Sequence, residues 1–318
     1  MRFLVYGAGA LGQALGCMLA CDGHRVDFVL RQRFVEAIHS TGLRVSGIFG
    51  EFICPPENCA VFTALAQTAG KYDYILLTTK SYDTAVSAEQ LARLSGIEGT
   101  TLVSLQNGCG NLEEILKRFA PERVVGGRVI SGFEISRPGQ VVITVSADAI
   151  HVGDALPWQT ISARARQLAE SFNSAGHPCL AVADIHTSLY AKLLYNCALN
   201  PLGAILGVHY GRLAEQKSTR DIMDAVIDET FAVIKANGGT TPWPDAAGYR
   251  EVFYRELIPA TAGHRPSMLQ DLESKKPTEV EALVGYVSRT GRQHGIGTPV
   301  CDTLAALVRY REGLSDVS

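Results

Sequence analysis

The segment Gly7-Ala8-Gly9-Ala10-Leu11-Gly12 constrains the fold more than any other part of the chain. It is a G-x-G-x-x-G turn set between Arg2–Tyr6, a compact β-rich run, and Ala10–Cys21, a helical stretch of small and apolar residues. The spacing alone is weak, because 31 glycines produce such patterns by chance. Its context supplies a mechanism. Between a strand and a helix, the first glycine permits the tight turn, the second lets the backbone approach a pyrophosphate, and the third packs helix on strand. The helix start then offers unpaired N–H groups and a partial positive charge to phosphates. A structural strand-to-helix turn with no ligand is the plainer alternative.

A second reading competes for the same residues. One early arginine followed by a long apolar run ending in small residues resembles a secretory signal peptide, which would be removed. Residues further along the chain separate the two.

Arg25–Leu30 reads as a second strand, completing a β-α-β unit that a right-handed crossover closes into a parallel sheet. Tyr74–Thr78 and Thr101–Leu105 are short apolar strands, each followed by a helical pattern. From about residue 124 to 152 closely spaced short strands suit an antiparallel edge to that sheet. A helix over about 159–175 and a strand at Cys179–Val182 follow. Beyond Asp184 strand signals nearly vanish and helical periodicity runs to the end. At 318 residues the chain exceeds the usual ~100–200 of one domain. The expected class is α/β, with a Rossmann-type doubly wound N-terminal domain over 1–183 and an all-helical domain over 184–318.

Apolar content of 47%, charged content of 19% and a net charge of −3 are ordinary for a globular protein. No basic tract invites nucleic acid, and no apolar stretch reaches the ~18 residues of a membrane span. A small-molecule ligand is therefore the default partner, with a homodimer admitted as an assembly. The eight cysteines (17, 21, 54, 59, 109, 179, 197 and 301) include no C-x-x-C pair and no zinc-finger spacing. They read as free, mostly buried thiols of a reducing compartment, so a cytoplasmic protein without a metal is expected. Cys17 and Cys21, four apart, would share a helix face and admit a metal or redox reading; the core reading is preferred because no further ligands stand nearby.

An NAD-type site places an acidic residue at the end of the second strand to bind the ribose 2′-OH. This chain has Leu30-Arg31-Gln32-Arg33 there, and Asp27 lies inside the strand, too early to reach. Guanidiniums in that place suit a 2′-phosphate, which favours NADPH over NADH. A solvated helix start is the bland alternative, especially for Arg33. Thr79-Lys80 and Gln106-Asn107-Gly108 follow strands at the carboxyl edge, where a doubly wound sheet holds its ligands. Asn107 is thus a candidate for the nicotinamide or the substrate.

In the helical half, Lys192, Asn196 and Asn200 step by four residues along an otherwise apolar segment. Such steps drift by only about 40° on a helix, so the three line one stripe. The stripe is either a solvent face or the wall of a cleft, and interior asparagines, poor helix formers, favour the cleft. Thr278-Glu279 is either a helix start favoured by the dipole or a carboxylate that faces Lys192 and holds it protonated.

Together these residues resemble the ketopantoate reductase family. The resemblance spans the chain: Gly7 to Gly12, Arg31, Lys80, Asn107-Gly108, Lys192-x-x-x-Asn196-x-x-x-Asn200-Pro-Leu, Ser267-Met-x-Gln-Asp271, Thr278-Glu279 and His294-Gly-Ile-Gly-Thr-Pro299. It implies hydride transfer from NADPH to the ketone of a 2-oxo acid, with Lys192 as general acid and Glu279 holding its position and charge. It also implies that Asn107, Asn196, Asn200 and Ser267 position the substrate, and that Gly7–Gly12, Arg31, Lys80, Asn107 and Glu279 serve the cofactor. Two departures bear on which oxo acid is used: Tyr210 where some members carry asparagine, and Val284 where an amide is usual. Reduction of another bulky 2-oxo acid, or a non-catalytic NADPH sensor, are the other readings. A cut near Ala20 or Cys21 would strip the phosphate turn from a domain that keeps Arg31, Lys80 and Asn107, so the opening segment is expected to stay.

Overall fold

A computed structural model describes residues 1–68, 70–156 and 160–314. The chain divides into two compact units, Met1–Asn107 with Asn111–Ile185, and Gly108–Gly110 with His186–Ser318.

In the first unit β1 (Arg2–Tyr6), α1 (Ala10–Cys21) and β2 (Arg25–Val29) form the opening β-α-β. Then come α2 (Gln32–Thr41), β3 (Leu43–Gly47), β4 (Phe52–Cys54), β5 (Ala60–Phe62), β6 (Tyr74–Leu77) and α3 (Thr84–Ala92). β7 (Thr101–Ser104), α4 (Asn111–Leu116), β8 (Val124–Arg128), β9 (Ser131–Arg137), β10 (Gln140–Ser146), β11 (Ile150–Asp154), α5 (Ala163–Ser174) and β12 (Cys179–Ala181) complete it. The main sheet has the order β12-β11-β8-β7-β6-β1-β2-β5 and is parallel except where β11 meets β8. Because β1 lies between β2 and β6, the chain reverses its direction of winding there, and the carboxyl ends of these strands open a crevice.

The expected antiparallel edge over 124–152 is half of what forms. β8 and β11 do pair antiparallel in the main sheet, but β9 and β10 leave it. They join β3 and β4 in a second sheet of order β4-β3-β10-β9, in which β10 runs parallel to β3. This second sheet accounts for the composition of α1. Its buried residues run without a break from Gly12 to Leu19, and it packs against β1 and β2 of one sheet and β3, β4 and β10 of the other. A helix covered on both faces is apolar all round, and each fully buried leucine such as Leu15 or Leu19 contributes about 1.5–3 kcal/mol. The signal-peptide look of this segment is therefore the look of a sandwiched helix. The helix expected over 159–175 begins at Ala163, capped by the Ser162 hydroxyl; Gln159 lies outside the described residues.

The second unit is helical: α6 (Ile185–Leu206, its first residue counted with the first unit), α7 (Tyr210–Leu213), α8 (Lys217–Ala236), α9 (Ala246–Val252), α10 (Ile258–Ala260), α11 (Ser267–Glu273), α12 (Val284–Gln293) and α13 (Pro299–Leu314). No strand occurs among its described residues. Its core gathers Leu193, Leu194, Cys197 and Leu199 of α6, Val226 and Ile227 of α8, Val284 and Val287 of α12, and Leu304 and Val308 of α13. Among the described residues no helix is long and apolar enough to cross a membrane.

Candidate active site

The glycine turn has the geometry that a phosphate needs. Gly7 sits at φ +83°, and a Cβ there would lie 2.3 Å from Thr79 Cγ2, so the loop after β6 closes directly on it. At Gly12 a Cβ would come 2.5 Å from Thr78 Oγ1 and 2.8 Å from Val5 Cγ1, which is the close helix–strand approach. Gly9 differs: the nearest atom to its Cβ position is the Gly7 carbonyl, 3.9 Å away. Protein packing does not require glycine there, whereas a pyrophosphate laid against the backbone does. The N–H groups of Ala10, Leu11 and Gly12 open the helix, with no preceding turn to bond.

Gln13, which spacing alone does not single out, holds this turn in place. Fully buried in α1, its Nε2 donates to the Ala8 carbonyl at 2.9 Å.

At the end of β2 the carboxylate and the guanidiniums part company. Asp27 is buried, taking Arg2 Nη2 at 2.7 Å and the Tyr72 hydroxyl at 2.6 Å. Burial, then this carboxylate, pushes the Tyr72 phenol up. Arg31, exposed, occupies the N-cap position of α2 without a side-chain capping hydrogen bond, and Arg33, also exposed, lies over the Phe34 ring at 4.6 Å. No acid stands in the first turn of α2.

Two loops meet at the carboxyl edge of β6 and β7. Buried Gln106 Nε2 donates to Thr84 Oγ1 at 2.8 Å, Thr79 Oγ1 at 3.1 Å and the Thr79 carbonyl at 3.2 Å. Asn111 Nδ2 donates to the Asn107 carbonyl at 3.1 Å, and Thr84 Oγ1 donates to Asn111 Oδ1 at 2.8 Å. This web fixes the backbone that carries Lys80 and Asn107, both half-buried. The sequence marks Gln106 only as part of a polar strand end, and Asn111 not at all, because their partners are backbone and hydroxyl groups that only the fold assembles.

In the second unit the stripe on α6 is no solvent face. Asn196 and Asn200 are 6% and 2% exposed, and Lys192 is half-buried. Burying an amide without hydrogen bonds costs roughly 1–3 kcal/mol, and here the amides serve each other. Asn200 Nδ2 donates to Asn196 Oδ1 at 3.1 Å, and Ser267 Oγ at the start of α11 donates to Asn200 Oδ1 at 3.4 Å. Lys192, Asn196, Asn200 and Ser267 thus lie along one run, and Ser267 itself is exposed. Pro201, inside the same helix, withholds the N–H that the Cys197 carbonyl would take.

Glu279 is buried and precedes a 3-10 turn, Val280–Ala282, rather than a long helix. Thr278 caps this turn, its Oγ1 accepting from Val280 N at 3.2 Å, while its own N–H donates to Glu312 Oε1 at 2.6 Å. On the same turn the Ala282 carbonyl accepts from Cys109 N at 2.8 Å. A Cβ at Gly108, φ +80°, would meet that carbonyl at 2.3 Å. Val284 is fully buried in the helical core.

Sequence and fold comparisons give this constellation a context. Residues 3–157 match the family model of ketopantoate reductase, and residues 184–312 match the model of its C-terminal domain. The chain belongs to the ketopantoate reductase family. Across 313 residues it is 37% identical to the 2-dehydropantoate 2-reductase of Aquifex aeolicus (strain VF5), covering 98% of this chain and 97% of that one. The 2-dehydropantoate 2-reductase of Geobacter metallireducens GS-15 has the same fold at TM-score 0.87 and 30% identity, with 98% and 99% of the two chains covered. D-mandelate dehydrogenase, solved with NADH and anilino(oxo)acetate, superposes at TM-score 0.86 and 25% identity over 99% and 100% of the chains. This is therefore an oxidoreductase fold of the ketopantoate reductase type, with a nicotinamide cofactor as the family's common partner.

Proposed function

We propose that the protein reduces 2-dehydropantoate to pantoate with NADPH. The observation that carries this reading is the run of half-buried Lys192 with buried Asn196 and Asn200, joined by Ser267, in a chain whose family is named for that reaction. The glycine turn, open only at Gly9, would take the pyrophosphate, and Arg31 the 2′-phosphate, with Lys80 and Asn107 completing the cofactor side. NADPH, when bound, supplies the hydride. As the ketone carbon gains that hydride its oxygen gains negative charge, and Lys192 donates a proton to it as general acid. Glu279, buried in the same unit, would keep the ammonium charged and aimed. Asn196, Asn200 and Ser267 are neutral donors and acceptors suited to the hydroxyl and carboxylate of a 2-oxo acid, fixing which face of the carbonyl is presented. A buried amide rejects a substrate that leaves it unpaired, so the stripe also selects.

A second reading changes only the substrate. The likeness to D-mandelate dehydrogenase supports another bulky 2-oxo acid, in this case an aromatic one, and with it a use of NADH. Steady-state turnover with NADPH over a panel of 2-oxo acids tests both. Ketopantoate should give the highest kcat/KM; an aromatic 2-oxo acid ahead of it would replace the first reading with the second. Cofactor binding without turnover of any member would leave a sensor.

A further inference from the structure

Four cysteines of the first unit gather on one side of α1, and the proposed reduction chemistry uses none of them. Cys17 is buried in the middle of the helix, with its thiol 3.5 Å from the Leu43 carbonyl; Cys21 is exposed at the end. Cys54 closes β4, and Cys59 follows the 3-10 turn Pro56–Asn58 that leads into β5. Cys54 and Cys59 are buried, and their sulfurs lie 3.0 Å apart. Among the described residues no group of His, Cys, Asp and Glu has the arrangement of a metal site.

We propose that Cys54 and Cys59 are a redox-modification site, a dithiol that a hydroperoxide converts to an intramolecular disulfide and a dithiol reductant restores. About 1 Å of approach separates the sulfurs from an S–S bond of about 2.05 Å. The residues between and beside them, Ile53, Glu57, Asn58 and Ala60, are exposed, so a small shift of one turn admits a small oxidant. The place in the fold also matters. β4 is the free edge of the four-stranded sheet and β5 the free edge of the eight-stranded one, so the new bond would staple the connection between two open edges.

The chemistry balances with hydrogen peroxide alone, an organic hydroperoxide releasing its alcohol in place of the first water. Hydrogen bonding with Cys54 loosens the Cys59 proton, while the Cys54 proton is held more firmly, so Cys59 ionises first. Its thiolate attacks the peroxide, forming an S–O bond as the O–O bond breaks and one water leaves. Cys54 then attacks that sulfur; the S–S bond forms, the S–O bond breaks, and the Cys54 proton departs in a second water. Two thiols lose two electrons, and the peroxide takes them.

Cys21 is the obvious rival, because it is exposed and hydrogen bonding from Cys17 lowers its thiol to about 7. Cys17, on the same helix, is placed to hydrogen-bond it but not to form a disulfide with it. Residues four apart on a helix hold their Cβ atoms about 5–6 Å apart, beyond the about 3.5–4.5 Å of a disulfide.

Peptide mapping distinguishes the two. Trypsin leaves Cys54 and Cys59 in the single peptide Val45–Lys71, and Cys17 and Cys21 in Phe3–Arg25. The purified protein is treated with hydrogen peroxide, its remaining thiols are alkylated under denaturing conditions, and the digest is weighed. The expected result is Val45–Lys71 without alkyl groups and lighter than its dithiol form by two hydrogens, with both thiols returned by dithiothreitol. In the Cys59→Ser variant, Cys54 should remain alkylatable at the same dose. The proposal is overturned if Val45–Lys71 keeps both alkyl groups at doses that oxidise Cys21, if it carries separate sulfinic or sulfonic acids, or if it cross-links to Phe3–Arg25.

Discussion

Lys192 and Arg31 stand at the two ends of the proposed chemistry, and each makes a separable prediction. A general acid contributes about 10²–10⁴-fold to rate, and alanine removes the proton without touching the glycine turn. Lys192→Ala should therefore lower kcat by about that factor while NADPH binding, read by fluorescence titration, stays within about twofold. A variant that keeps most of its rate would remove Lys192 from the reaction. Arg31 is exposed, at the start of α2, with no acid in its first turn. A charge-assisted hydrogen bond to a phosphate contributes about 1.5–3 kcal/mol, which is roughly 10–100-fold in Kd. Arg31→Ala should thus weaken NADPH by that factor and leave NADH nearly unchanged. Equal losses for the two cofactors would show that Arg31 is only a solvated residue at a helix start. Asp27 cannot take over the ribose in the variant, since Arg2 and Tyr72 already hold its carboxylate.

At the scale of elements, α1 separates glycines that serve a ligand from glycines that serve packing. A Cβ at Gly16 would lie 2.3 Å from Phe28 Cε1, inside the core, whereas at Gly9 it would meet only the Gly7 carbonyl, at 3.9 Å. Overpacking of a core costs roughly 1–3 kcal/mol, and more where a ring must move. Gly16→Val should lower the unfolding free energy by about that amount, read as a lower urea midpoint at unchanged m-value, whereas Gly9→Val should leave the midpoint unchanged and abolish NADPH binding. If Gly9→Val still binds the cofactor, the pyrophosphate lies elsewhere. The same contrast explains how much is legible in sequence. β1, α1 and β2 can be read because the glycine motif brackets them, and the Lys192–Asn196–Asn200 stripe because helical periodicity records which residues share a face. β3, β4 and β5 cannot, being three to five residues long; β3 owes its place to β10, almost a hundred residues away. Gln13 and Asn111, and the role of Gln106, stay hidden for a related reason. Their hydrogen bonds go largely to backbone carbonyls and hydroxyls, which leave no spacing in the sequence.

For the whole molecule, the two units carry different halves of the proposed reaction, and ligand linkage can test that division. The phosphate turn, Arg31, Lys80 and Asn107 belong to the first unit, whereas Lys192, Asn196, Asn200, Ser267 and Glu279 belong to the second. A ligand at about 100 times its Kd adds about 2.7 kcal/mol to the state that binds it, which for a unit of this size is roughly 5–10 °C in Tm. NADP⁺ should therefore raise the Tm of the wild-type protein by about that much, and of Lys192→Ala by nearly as much, although Lys192→Ala turns over almost nothing. In Gly9→Val the shift should vanish, although Lys192 and its asparagine neighbours are untouched. A Lys192→Ala protein that loses the shift would mean that the lysine binds the cofactor rather than the alkoxide, and the proton would then have to come from another group.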